Sequence, residues 1–145
     1  MTMVDDNDYE YLNQWKWHCT SDNYAVRCSS MNAIGKRTLI YMHVAIMPHP
    51  EGMKTDHKNH NTLDNRRPNL RICTHSQNLA NSVRAINNSS GRKGVCWKKQ
   101  LGKWCVQIGY HGKRMHVGYY DSIEDATNAY SHKAKELFGE FAYFD

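Results

Sequence analysis

Asp56 and His57 stand side by side in a stretch dense in Asn, His and Asp, with Asn69 and Asn78 downstream. Cutting a phosphodiester needs a base to activate water, a cation to meet the charge on phosphate and leaving group, and positioning. Neighbouring residues on an extended strand point to opposite sides. In an Asp-His pair, one side chain can therefore hold a metal while the other faces the attacking water. A hairpin loop and then a helix could return a second oxygen ligand, such as an Asn amide, to the same ion. Hard oxygen donors of this kind suit Mg²⁺ (or Mn²⁺) rather than zinc. His49, His60 and His75 raise a zinc alternative, but their spacing matches no zinc pattern. Taken singly, each residue also has an ordinary reading as a turn residue, an exposed helix Asn or a surface His. The chemistry rests on the set and its spacing.

Strands and helices must hold those side chains in place. Residues 1 to about 43 read as a short helix followed by strands. Trp15, Trp17 and Cys19 alternate with Lys16 and His18, Tyr24 and Val26 alternate with Ala25 and Arg27, and Thr38 to His43 is a further β-rich run. From Pro48 to Pro68 the composition is that of a loop, not a core. Thr74 with Gln77 in capping-box spacing predicts a helix reaching roughly to Arg84. Asn87-Asn88-Ser89-Ser90-Gly91 reads as a polar linker.

Beyond it, Gly94 to Trp97 is a short strand. Trp104, Val106, Ile108 and Tyr110 form one apolar face, and Met115, Val117 and Tyr119 another, with Ser122 and Asp125 opening a helix that closes near Gly139. The apolar stripe of that helix is Ile123, Ala126, Tyr130, Ala134, Leu137 and Phe138. A helix on one side of three strands leaves the other sheet face bare, and that face carries Gln107, Arg114 and His116. The expected class is α+β.

Composition narrows the partners. The chain has 145 residues, 40% hydrophobic and 23% charged, which is soluble-protein composition with room for one ordinary domain or two small ones. The first ten residues are acidic and polar, unlike a secretory signal, so a cytoplasmic location (that of the host cell, if phage-encoded) is expected, with no membrane partner. Five cysteines without a close pair argue against a disulfide framework and read as free thiols. Net charge is +5, and between Asn65 and Tyr120 eleven Lys and Arg occur without one Asp or Glu. A polyanion explains such a stretch, because its phosphates repel carboxylates.

The blocks Asp56-His57, Leu63-Asp64-Asn65-Arg66-Arg67, Asn69-Leu70-Arg71 and Ser76-Gln77-Asn78 resemble the HNH endonuclease family. Within it they are most similar to the phage and intron-encoded group whose motif ends in Asn instead of His. The resemblance implies a ββα-metal fold around one divalent cation, with Asp56 and Asn78 as metal ligands and His57 as general base. Asn69 would brace the loop that holds the Asp-His strand, and His43 would contact phosphate. Where the family usually has Gly in this turn, the chain has His60, which must then adopt positive φ.

Residues 91 to 144 resemble the AP2 DNA-binding domain, through Gly94-Val95, Gly102-Lys103-Trp104, Gly112-Lys113-Arg114, Val117-Gly118-Tyr119-Tyr120-Asp121 and Phe138-Gly139-Glu140. Such domains lay a three-stranded sheet in the major groove. Cys96 and Gly109 stand where that family carries Arg, so its sequence preference does not transfer.

Together these readings predict a metal-dependent, nicking endonuclease of the homing or phage type acting on double-stranded DNA. It would work as a monomer or weak dimer without a small-molecule cofactor. The expected layout is a nuclease domain over 1–86 (core motif about 40–82), a linker over 87–93 and an AP2-like domain over 94–145. DNA contacts are expected from His43, Arg66, Arg67, Arg71, Lys93, Lys98, Lys99, Lys103, Trp104, Gln107, Lys113, Arg114 and His116. The alternative is a non-catalytic AP2-type regulator that retains a degenerate HNH fold; the intact Asp56, His57 and Asn78 argue against it.

Overall fold

A computed structural model of the chain describes residues 1–31, 34–83 and 88–143. The chain divides into two compact units, Met1–Thr74 and His75–Asp145.

The first unit opens with helix α1 (Asp6–Leu12), whose first turn carries Asp6 and Asp8, the charge that suits the positive end of a helix. Three short antiparallel strands follow, β1 (His18–Cys19), β2 (Ala25–Cys28) and β3 (Leu39–Tyr41), with β2 central. Ala25 and Val26 on β2 are both buried, so both faces of this strand are covered, in place of the simple alternation expected. Arg27 lies with its guanidinium 4.2 Å from the ring centroid of Trp15. The β-rich run expected to reach His43 stops at Tyr41, where helix α2 (Met42–Ile46) begins. The reason is spacing: Met42 and Ile46, four apart, both enter the core, which a helix permits. That core gathers Leu12, Ala25, Met42, Ile46 and Leu70.

Two strands complete the unit, β4 (Met53–His57) and β5 (Leu70–Thr74), paired antiparallel with Asp56 opposite Arg71 and His57 opposite Leu70. Between them the chain makes a 3₁₀ turn at Arg67–Asn69. The loop composition of 48–68 misled in one respect, since Thr55, Asp56, His57, Asp64 and Asn65 are all buried. Polar groups can be buried when each is hydrogen-bonded, and those of Asp64 and Asn65 are.

The second unit begins with helix α3 (His75–Asn81), directly after β5. Arg84, its expected end, lies outside the described residues. The helix packs within this unit: Ala80 joins its core, and Lys93 Nζ donates to the carbonyls of Leu79, Ala80 and Ser82 at its C-terminal end. The linker expected over 87–93 includes residue 87, outside the described residues. From Asn88 onward it is a turn knit by Ser90, whose hydroxyl donates to Val95 O at 2.6 Å.

An antiparallel sheet follows, β6 (Val95–Lys98), β7 (Lys103–Tyr110) and β8 (Lys113–Tyr120), in the order β6-β7-β8. Helix α4 (Ile123–Phe138) covers one face. Ser122 caps it by accepting the Asp125 N–H at 3.0 Å, and Gly139 ends it at φ +54°. Ala126, Tyr130, Ala134 and Phe138 face Val95, Val106 and Ile108. The strict alternation expected on β8 fails after Val117. A bulge opposite Val106/Gln107 adds a residue, so Tyr120 packs on the core and Tyr119 is exposed. All five cysteines are free thiols. No helix of the described residues is long and apolar enough to cross a membrane.

Candidate functional site

β4 brings Asp56 and His57 to the same place with their side chains on opposite faces, because neighbours on a strand alternate. Asp56 accepts from Arg71 Nε at 3.0 Å, directly across the ladder, and both side chains are only 10% exposed. His57 is 5% exposed, and its Nε2 lies 3.0 Å from Oδ1 of Asn65, a residue with no exposed surface. Burial lowers the pKa of His57, against the opposing pull of the Asn65 hydrogen bond and of the Asp56 and Asp64 carboxylates. The ring is thus neutral near pH 7, the form that can take a proton.

His43 on α2 stacks edge-on to His57, with ring centroids 4.9 Å apart. Tyr24 and Tyr41 complete this ring cluster, each 5.5 Å from His43. Burial, followed by the positive charges of His57 and His49, pushes the pKa of His43 down to about 4.

The loop between β4 and β5 is held by its own side chains. Asn69 donates from Nδ2 to Asp64 O at 2.7 Å and accepts from the Asn59 N–H at 3.1 Å, which ties both ends of the loop together. Asp64 receives both Nε and Nη2 of Arg66, at 2.7 and 2.8 Å, and Asn59 Nδ2 at 3.0 Å. The hydrogen bonds from Arg66 hold the Asp64 carboxyl at about 2. His60 takes φ +62°, the left-handed conformation its place in the turn demands.

Asn78 is half-buried on α3, in the second unit. Among the described residues no group of three or more His, Cys, Asp or Glu gathers to hold a metal.

A model of the family described as HNH endonuclease matches residues 48–80. An uncharacterised HNH endonuclease of Acanthamoeba polyphaga mimivirus is 31% identical over 134 residues, covering 90% of this chain and 67% of the relative. Protein 3.8 of Escherichia phage T7 is 32% identical over 97 residues, covering 67% of this chain and 79% of that protein. The chain belongs to the HNH endonuclease family. No solved structure matches it.

The HNH-family chain uses several of its expected DNA-contact residues internally. Arg66 pairs with Asp64, Arg67 with Asp8 at 2.7 and 2.8 Å, and Arg71 with Asp56. Lys93 satisfies carbonyls of α3, and Lys103 meets Asp121 at 2.9 Å. Trp104 sits on the α4 side of the sheet, packed on the core with its ring 5.0 Å from Trp97, and so is turned away from the bare face. Lys98, Lys99, Lys113, Arg114 and His116 are exposed, and Gln107 is half-buried. His43 is almost wholly covered at 9% exposure.

Sequence reasoning missed Asn65, Thr2, Tyr24 and Tyr41 as neighbours of the site. Asn65 stood in the quoted motif without a role. Thr2, bonded to Asn65 at 2.8 Å from 63 positions away, left no signal in local spacing.

Proposed function

We propose that this HNH-family nuclease is a metal-dependent DNA endonuclease that nicks duplex DNA. The observation that carries the reading is His57: buried and anchored through Asn65, it stands beside the Asp56 carboxylate on one short strand.

The donor chemistry fits a hard cation. Asp56 on β4 would hold the cation through its carboxylate and Asn78 on α3 through its amide oxygen, hard donors of the kind that suits Mg²⁺ or Mn²⁺. When bound, the cation supplies positive charge to the scissile phosphate and the departing oxygen. His57 takes and holds the proton of the attacking water. Asn69 keeps the loop closed, so that the strand presenting Asp56 and His57 stays in register.

Duplex binding is assigned to the second unit, with an AP2-like role for the β6-β7-β8 sheet. Gln107 pairs with His116 and Gly109 with Arg114 across β7 and β8, so these residues share the face that α4 leaves uncovered. Exposed Lys98, Lys99, Lys113 and Arg114 supply the positive charge that phosphates attract, and His116 is exposed on the same face as Arg114. The domain layout over 1–86 and 94–145, a monomeric or weakly dimeric state and action of the homing or phage type in a host cytoplasm belong to the same proposal.

The test is nicking of supercoiled plasmid with Mg²⁺ or Mn²⁺. His57→Ala should lose cutting by roughly 100-fold or more, the scale of general base catalysis, while DNA affinity stays within about twofold. Continued cutting by the variant overturns the base assignment. A wild-type protein that binds DNA but cuts nothing leaves the regulator reading in its place.

A further inference from the structure

Three hydrogen bonds run in series from the N-terminal segment to His57. Thr2 Oγ1 lies 2.9 Å from Leu63 O, Asn65 Nδ2 lies 2.8 Å from Thr2 Oγ1, and Asn65 Oδ1 lies 3.0 Å from His57 Nε2. The first bond has only one direction, since a carbonyl oxygen accepts and the hydroxyl must donate. Thr2 has one hydroxyl hydrogen, so toward Asn65 its oxygen can only accept. Asn65 must then turn its NH₂ to Thr2 and its carbonyl oxygen to His57. The reverse amide orientation would draw the hydroxyl hydrogen to Asn65 and leave two oxygens 2.9 Å apart with no proton between them. Thr2 Oγ1 also lies 3.8 Å from Met42 Sδ, a weaker acceptor that does not compete with the carbonyl.

The consequence reaches the ring. An Asn65 carbonyl oxygen facing Nε2 requires a proton on Nε2, and in neutral imidazole that leaves the lone pair on Nδ1. We propose that Thr2 is a positioning residue which, acting through Asn65, locks His57 in the Nε2–H tautomer and so selects Nδ1 as its basic atom.

The rest of the site supports such a lock. Asn65 has no exposed surface, so water does not substitute for a lost partner without reorganisation. The N-terminal segment is pinned beside the loop by backbone bonds: Met3 N–H donates to Leu63 O and Asn65 N–H to Met3 O, each at 2.8 Å. Thr2 is therefore held where its hydroxyl must make this choice.

The inference rests on His57 being the base for its catalytic meaning, but the tautomer itself is measurable without any cutting. Long-range ¹⁵N–¹H correlation of the His57 ring distinguishes the two neutral forms. Wild type and Thr2→Ser should show Nε2–H, and Thr2→Val should show a mixture or the Nδ1–H form. In the cleavage assay, Thr2→Val should lower kcat roughly tenfold or more with DNA affinity unchanged, and Thr2→Ser should restore it. Asn65→Asp is the second variant. Its carboxylate only accepts, so the Nε2–H form should persist whether residue 2 is Thr or Val. A Thr2→Val ring indistinguishable from wild type, or a wild-type ring in the Nδ1–H form, overturns the proposal. A wild-type protein that cuts nothing, but whose tautomer still responds to Thr2→Val, removes the nuclease reading and upholds the lock.

Discussion

At the scale of single residues, the first unit stores two buried histidines that the folded chain keeps neutral. His43 has the clearer consequence, with a pKa of about 4 against the ordinary 6.5. Below pH 6.5 the unfolded chain takes up a proton that the folded chain refuses until about pH 4. Unfolding therefore gains protons in that window, and stability rises with pH across it. The contribution of His43 is complete above 6.5 and is lost as pH falls toward 4. Urea midpoints measured at pH 7 and pH 5 should draw closer together in His43→Gln than in wild type. A part of the slope should remain, because burial lowers His57 in the same direction. An unchanged slope would mean that His43 is solvated more than its 9% exposure indicates.

At the scale of elements, the hairpin of β4 and β5 owes its order to polar groups, and the β6-β7-β8 sheet owes its order to packing. Gly94 shows how little tolerance the sheet has. It sits at φ +70°, and a Cβ there would come within 2.3 Å of the Tyr130 ring and 2.6 Å of Gln107 O. Both the backbone conformation and the space demand glycine. Gly94→Ala should cost about 2 kcal/mol or more by overpacking and strain, seen as a lower denaturation midpoint with α4 still helical by circular dichroism. Gly102→Ala makes a useful comparison, since a Cβ there meets nothing within 4 Å and only the φ of +60° is strained.

At the scale of the whole molecule, the stretch that looked free of acids is not free of them once the chain folds. Asp8, Asp56, Asp64 and Asp121 all lie outside residues 65–120, and each pairs with a basic residue inside that stretch. Internal pairing removes Arg66, Arg67 and Arg71 from the simple count of phosphate contacts. It leaves Arg92, Lys98, Lys99, Lys113 and Arg114 as exposed positive charge among the described residues of that stretch. If the sheet is the DNA anchor, Arg114→Ala should reduce the slope of log affinity against log salt by about 0.9. Arg67→Ala should leave that slope nearly unchanged and lower stability instead. Titrating both variants with duplex DNA from low to moderate salt separates the two. Equal loss of slope in both would show that the Arg67–Asp8 pair opens on the DNA.

Much was legible before any fold was seen, and the reasons are local. Asp56, His57, Asn69 and Asn78 are separated by distances along one chain that a strand, a loop and a helix impose. The Ser122 cap and the stripe of α4 follow from helical period, and the positive φ of His60 from its place in a turn. What only tertiary structure decided concerns partners brought together across long separations. Spacing carries no information about contacts such as Thr2 with Asn65 or Asp8 with Arg67, because chain closure and packing alone create them. The β8 bulge was hidden for a related reason: it depends on the register of two strands, and one strand's alternation cannot report it. The sequence by itself determined which residues match the family motif; the fold decided which basic residues are already engaged and that Asn65 is the side chain that meets the His57 ring.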